Sequence, residues 1–162
     1  MLYWLNILAM RDETVEQIVR GHWRQFGRNY YSRHDYEGIE TERAEELFAR
    51  LRQRLSELPG MEFSGMKVRA ADDFSYTDPV DGSRSDRQGV RILVDNGSRV
   101  VFRLSGTGTE GATLRLYLER YEADPALHDI PLQKALASLV DLAGKVANIA
   151  EITGRKAPDV IS

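Results

Sequence analysis

The chain has 162 residues, no cysteine, and charged residues of both signs that give a formal net charge of −3 at pH 7. This length suits one domain with its own core, and the mixed charges argue against a general nucleic-acid binder. Neither disulfides nor thiolate metal ligands are available, and no apolar run reaches the roughly twenty residues of a membrane span, so a cytoplasmic protein is expected.

Two helices are predicted at the start of the chain. Met1–Met10 is apolar on nearly every side, which is typical of a helix buried all round, and it lacks the basic start of a signal peptide. A second helix is predicted from a capping box of Thr14 and Gln17 and ends at Gly27. We expect Met1–Met10 to pack against this domain or another copy of the chain, or to be disordered.

The middle of the chain alternates between strand and helix signals. Three segments are predicted to be extended: Tyr30–Tyr36, Met66–Phe74 and Val90–Asp95. Apolar residues at helical spacing predict a helix from Ala44 to Leu58, stopped by Pro59 and Gly60. Asp78–Gln88 is predicted to be a polar loop, and Asn96-Gly97 a tight hairpin turn.

A final helix is predicted to open at Pro131 and to end near Gly154. The order of helix, strands and helix, with short hairpin links, predicts an α+β fold. In such a fold an antiparallel sheet carries helices packed on one face.

The central feature is a predicted hairpin around a stretch rich in Gly, Ser and Thr. The alternating apolar residues are Val100, Phe102 and Leu104 before this stretch, and Leu114, Leu116 and Leu118 after it. Folding about Thr109 places Arg103 opposite Arg115, on the face away from the leucines. Like charges directly across a sheet are destabilising, and an anion held between them would remove that cost.

The stretch Ser105–Thr109 suits such an anion. Its glycines allow backbone N–H groups to turn inward, and its hydroxyls can donate to phosphate oxygens. The two guanidinium groups would complete a bidentate clamp. The simpler interpretation, a hairpin loop with solvated arginines, remains open at this point.

The same glycines also match the pattern G-x-G-x-x-G between Gly106 and Gly111. A dinucleotide site would need a helix after the glycines, whereas the following residues alternate as a strand. A kinase loop would be accompanied by H-R-D and D-F-G motifs, and a Walker loop by Lys-Ser/Thr; the sequence has neither. The histidines His22, His34 and His128 are too scattered to predict a metal site.

At these residues the chain resembles the C-terminal domain of the phosphoglucomutases, in the α-D-phosphohexomutase superfamily. The resemblance rests on RLSGTGTEGATLRLY (103–117) and extends to FGRNYYSRHDYE (26–37), FSYTDPVDGS (74–83) and TGRKAPDVIS (153–162). It implies a TATA-binding-protein-like fold for residues 28–162, preceded by a helical remnant of another domain and a hinge at residues 1–27. The implied phosphate-binding residues are Arg103, Ser105, Gly106, Thr107, Thr109 and Arg115.

The resemblance also implies an activity for a longer enzyme, the interconversion of glucose 1-phosphate and glucose 6-phosphate through glucose 1,6-bisphosphate. Its phosphoserine, its Mg²⁺ ligands and its sugar-recognition loop would lie in domains whose motifs this sequence lacks. The chain alone is therefore expected to bind no cofactor, to be inactive as a mutase, and to hold a phosphosugar, phosphate or sulfate. An independent phospholigand-binding or regulatory module is the alternative.

Overall fold

The computed structural model describes residues 2–108 and 111–162. Its helices are α1 (Leu2–Arg11), α2 (Val15–Phe26), α3 (Thr41–Gln53), α4 (Leu132–Ala147) and α5 (Ile149–Thr153), with a 3₁₀ turn at Pro125–Leu127. Its strands are β1 (Arg28–Ile39), β2 (Glu62–Phe63), β3 (Met66–Thr77), β4 (Arg84–Val94), β5 (Arg99–Gly108), β6 (Gly111–Glu122) and β7 (Val160–Ile161). No described helix is long and apolar enough to cross a membrane.

The strands form one antiparallel sheet in the order β2-β3-β4-β5-β6-β1-β7. Alternate residues of β5 and β6, such as Phe102 and Leu116, are fully buried against the apolar sides of α3 and α4. The residues that alternate with these buried ones lie on the opposite side of the sheet, called the open face below. The predicted α+β arrangement, with an antiparallel sheet and helices on one face, is confirmed.

The hairpin predicted at Asn96-Gly97 is confirmed. The N–H of Val94 donates to the carbonyl of Ser98 over 2.9 Å, and Gly97 has a φ of 83°. Glycine enters this left-handed region without the steric cost that a Cβ imposes, so the sequence Asn-Gly fixes the register of β4 with β5.

Two predicted helices are shorter than expected. The α3 helix ends at Gln53, and its last residues tighten into a turn in which the N–H of Leu55 bonds to the carbonyl of Arg52. Leu58 is nevertheless completely buried. The helix that follows Pro131 is interrupted at Asn148, whose φ of 49° is tolerated by asparagine, so the end at Gly154 belongs to a separate short helix.

The prediction of a long polar loop at Asp78–Gln88 was wrong in part. Residues from Arg84 onward belong to β4 and pair with β3, for example Ser85 with Tyr76. Residues 84–88 are all exposed, so this part of the strand lacks the alternation that marks a half-buried strand.

The two N-terminal helices differ in how they meet the sheet. The capping box of α2 is present, and Arg28 lies 4.1 Å from the ring centroids of both Trp23 and Tyr30. By contrast, no described residue of α1 is buried, and Trp4 is 51% exposed. Of the alternatives expected for α1, burial against this domain is not seen, because none of its ten residues is buried. Packing against another copy stays a prediction.

Candidate anion-binding site

The predicted arginine pair is present. Arg103 on β5 and Arg115 on β6 are directly paired across the two strands, and their apolar neighbours alternate toward the helices. Both arginines therefore lie on the open face. The Arg115 side chain is 39% exposed, so its guanidinium remains accessible to a ligand.

The sequence interpretation missed a carboxylate beside this pair. Asp35 on β1 is the cross-strand partner of Arg115, which continues the row of charged residues across a third strand. Asp35 is only 3% exposed. Its carboxylate lies 3.0 Å from Nε of Arg33 and 3.8 Å from Nε of Arg115. The short polar segment around Asp35 offers no alternation from which this position could be inferred.

On the other side of the pair lies a buried glycine. Gly89 on β4 sits beside Arg103, and a Cβ built at this glycine would lie 2.9 Å from Cγ of Arg103 and 2.7 Å from the carbonyl oxygen of Phe102. Because Gly89 has no side chain, the Arg103 side chain can pass directly beside it.

The strands extend further into the glycine-rich stretch than predicted. Ser105 pairs with Thr113, and the strand β5 continues through Thr107 to Gly108, where a loop was expected. Gly106 has a φ of 65°, the left-handed conformation that an anion-binding nest requires of one of its residues. Thr109 lies outside the described residues.

Gly111, at the start of β6, lies close against the backbone of β1. It has a φ of 94°, and a Cβ there would lie 2.8 Å from the carbonyl oxygen of Ile39 on β1. A larger residue would be strained by conformation and would also collide with the backbone. Together with the register shift between Ser105 and Gly108, this contact fixes where the hairpin ends relative to β1.

Arg103 borders a concavity of about 810 Å³ on the open face, whose lining also includes Arg33, Arg91 and Arg99. Most of its basic residues have acidic partners: Arg91 donates twice to Asp72, at 2.8 and 2.7 Å, and Arg99 pairs with Glu119. The hydrogen bond from Arg91 lowers the pKa of Asp72 below its usual value. Arg103 has no carboxylate within 4.0 Å in residues 2–108 and 111–162, so it is available to an external anion.

The three histidines do not converge. His34 is 7% exposed, and burial lowers its pKa despite the opposing effect of the neighbouring Asp35. In the described part of the chain, no group of three His, Cys, Asp or Glu side chains is placed to hold a metal ion. The arrangement at the hairpin offers positive charge and backbone N–H groups that can bind an anion.

The fold defines the chain as an α+β domain built on an open antiparallel sheet, with its paired arginines at one hairpin. Comparison with known proteins then places it. A family model described as "Phosphoglucomutase-1, C-terminal domain" matches residues 28–159, and the chain belongs to this family.

Individual relatives agree with that placement. A phosphoglucomutase of Rhizobium radiobacter is 56% identical over 162 residues, which cover 100% of this chain and 30% of that protein. A cytoplasmic phosphoglucomutase of Pisum sativum is 47% identical over 177 residues, covering 100% of this chain and 30% of that protein. The chain thus spans about a third of the length of these relatives.

A solved structure matches as well. The open form of the exocytosis-sensitive phosphoprotein pp63/parafusin, a phosphoglucomutase from Paramecium, has a TM-score of 0.87 and 41% identity, covering 98% of this chain and 28% of that one. The match is consistent with the TATA-binding-protein-like fold that the resemblance implied.

Proposed function

We propose that this chain is the C-terminal phosphate-binding domain of a phosphoglucomutase. The observation that carries the proposal is the direct pairing of Arg103 with Arg115 beside the glycine-rich hairpin end. Two guanidinium groups held side by side in a sheet repel each other, and a phosphate bound between them offsets this repulsion.

In this proposal the domain clamps the phosphate that is not being transferred. Glucose 1-phosphate, glucose 6-phosphate and glucose 1,6-bisphosphate each present a phosphate that can be held while the other end of the sugar reacts. A fixed distal clamp uses binding energy to orient the sugar. The residues assigned to the clamp are Arg103, Ser105, Gly106, Thr107, Thr109 and Arg115.

The chemistry of phosphoryl transfer is assigned to the remainder of the enzyme, with its phosphoserine and its Mg²⁺. Among the described residues of the open face, Asp35 and Asp72 are each paired with arginines rather than grouped as metal ligands. The isolated chain is accordingly proposed to have no mutase activity and to bind no metal of its own.

The proposed domain boundary lies between residues 27 and 28. Residues 1–27 are then a helical remnant of the preceding domain with the hinge, and residues 28–162 form the phosphate-binding domain. Gly27 has a φ of 82°, and the hydroxyl of Tyr121 donates to the carbonyl of Phe26 over 3.0 Å, so the turn is anchored to β6. The apolar residues of α1 are proposed to contact the other domains of the enzyme, or a second copy of the chain when these domains are absent. Motion about this turn would close the domain over the sugar.

A cytoplasmic location is also proposed. It is supported by the name of the Pisum sativum relative, while a relative from Solanum tuberosum is named as chloroplastic. Neither nucleic acid nor a membrane is proposed as a partner.

A chimera tests the proposed function. This chain would replace the aligned segment of the Rhizobium radiobacter enzyme, to which it is 56% identical over its whole length. We expect the chimera to convert glucose 1-phosphate to glucose 6-phosphate, and Arg115→Ala to raise KM and lower kcat/KM. Arg99→Ala, on the same strand as Arg103, is the matched control and should leave both nearly unchanged.

A folded chimera with no activity would contradict the mutase assignment. If such a chimera still bound inorganic phosphate at the hairpin, the alternative of an independent phospholigand-binding module would be favoured instead.

A further inference from the structure

We propose that Asp35 is a positioning residue for the anion clamp and acts through the guanidinium of Arg115. This inference rests on the proposed function, because it assigns a role to a residue next to the proposed phosphate site. It concerns a side chain that the sequence pattern did not single out.

Asp35 is the most buried member of a charged row that crosses three strands. The row runs from Arg103 on β5 through Arg115 on β6 to Asp35 on β1, with direct cross-strand pairing at both steps. Asp35 is only 3% exposed, whereas the two arginine side chains are much more accessible. A carboxylate this deep is costly unless cations compensate it, so its place beside two arginines is electrostatically required.

The two ion pairs of Asp35 involve the same arginine atom. Both Arg33 and Arg115 approach the carboxylate with Nε, over 3.0 and 3.8 Å respectively. A guanidinium that faces a carboxylate with Nε keeps its two terminal nitrogens for another acceptor. Asp35 thus contacts Arg115 at Nε, the inner contact. The two terminal nitrogens of Arg115, called the outer fork below, are left for a ligand on the open face.

Asp35 and Arg115 form an ion pair without a hydrogen bond. Nε of Arg115, Nε of Arg33 and Oδ1 of Asp35 are all buried and lack hydrogen-bond partners among the described residues. A separation of 3.8 Å for the Arg115 pair is an ion pair that a modest movement of the guanidinium would convert into a hydrogen bond. We infer that anion binding to the outer fork tightens this inner contact.

The charges also fit the proposed ligand. Three arginines, Arg33, Arg103 and Arg115, together with Asp35 leave two net positive charges in this part of the sheet. A phosphate monoester carries about −1.5 to −2 at neutral pH, so it would be closely neutralised.

Two effects of Asp35 on anion affinity have opposite signs. Its charge repels a phosphate, so its removal would strengthen binding; its hold on Arg115 orients the clamp, so its removal would weaken binding. We infer that orientation dominates, because Arg33 at 3.0 Å already offsets the Asp35 charge, while Asp35 is the only carboxylate paired with Arg115 among the described residues.

The test compares Asp35→Asn, Arg115→Ala and the double variant by titration of the 162-residue chain with inorganic phosphate, followed through backbone amide shifts. Asp35→Asn should weaken phosphate binding by about fivefold, and this effect should vanish in the Arg115→Ala background, as expected for coupled neighbours. Asp72→Asn is the matched control, since it breaks another carboxylate–arginine pair on the same face, and it should leave phosphate affinity unchanged.

Tighter binding by Asp35→Asn, or an equal effect with and without Arg115, would overturn the proposal. A second measurement tests the positioning role of Asp35 independently of the proposed function. It follows hydrogen exchange at the Arg115 Nε–H without any ligand. Faster exchange in Asp35→Asn than in Asp72→Asn supports positioning by Asp35 even if the wild-type chain fails to bind phosphate, a result that would count against the function alone. Unchanged exchange at a folded Asp35→Asn overturns the positioning role.

Discussion

Gly89 and Arg103 are neighbours on adjacent strands, and the glycine has no side chain where the arginine passes. A Cβ at position 89 would lie 2.9 Å from Cγ of Arg103, a distance that real Cβ contacts essentially never reach. Gly89 has no positive φ, so its role here is space rather than backbone conformation.

We therefore expect Gly89→Ala to displace Arg103 and to weaken phosphate binding at the hairpin. The same substitution should destabilise the fold by about 1–3 kcal/mol, because the new methyl group also meets the Phe102 carbonyl oxygen in a packed region. Denaturant unfolding and a phosphate titration of the same sample measure the two effects.

The matched control for that variant is Gly144→Ala in α4. A Cβ at Gly144 meets nothing within 4 Å, so alanine there should stabilise the chain by about 0.5–1 kcal/mol through its better helix propensity. Phosphate affinity equal to wild type in a folded Gly89→Ala variant would show that Arg103 does not need this space.

The buried His34 predicts a dependence of stability on pH. Burial lowers the pKa of His34 in the folded state below its ordinary value of 6.5. As the pH falls through that value, the unfolded chain takes up a proton that the folded chain does not, so the free energy of unfolding decreases. The chain should thus be less stable at pH 5.5 than at pH 7.5.

A His34→Gln variant isolates this contribution. Its free energy of unfolding in urea should fall less than that of the wild type between the same two pH values. The hydrogen-bonded carboxylate of Asp72 has a lowered pKa, below its ordinary 3.8, and does not contribute in this range. Parallel losses in the variant and the wild type would remove His34 as the cause.

The exposed apolar surface of α1 predicts self-association of the chain when it is separated from partners. Leu2 and Tyr3 are 79% and 78% exposed, and Leu5 is 57% exposed, on one short helix. We expect sedimentation to show concentration-dependent association that Leu5→Glu reduces.

Val80→Glu is the control for this prediction. Val80 is 94% exposed but lies in the turn between β3 and β4, apart from α1 in the sequence. Its substitution should leave association unchanged. A wild-type chain that stays monomeric at high concentration would refute self-association through α1.

Local patterns were sufficient to predict the central hairpin. The alternation around Arg103 and Arg115 determines which residues face the helices, and the pairing of these two arginines follows from the symmetry of the two runs. The capping box at Thr14 and the Asn-Gly turn are also local signals, and both are present.

Long-range contacts could not be predicted in this way. Asp35 and Gly89 are remote from the hairpin in sequence, and only the pairing of β1 with β6 and of β4 with β5 brings them beside the arginines. The interruption at Asn148 was not predicted. Asparagine tolerates the left-handed conformation without always adopting it, so the residue type alone does not indicate that a helix ends there.

The phosphate clamp is tested most directly by a titration of the 162-residue chain with inorganic phosphate and glucose 6-phosphate, followed by amide NMR. We expect saturable shifts at Ser105 and Gly106, and a loss of about 1.5–3 kcal/mol of binding free energy in Arg115→Ala, the contribution of a charge-assisted hydrogen bond. Arg99→Ala should behave as wild type. Shifts that are absent in the wild type, or that persist unchanged in Arg115→Ala, would contradict the assignment of the arginine pair as a phosphate clamp.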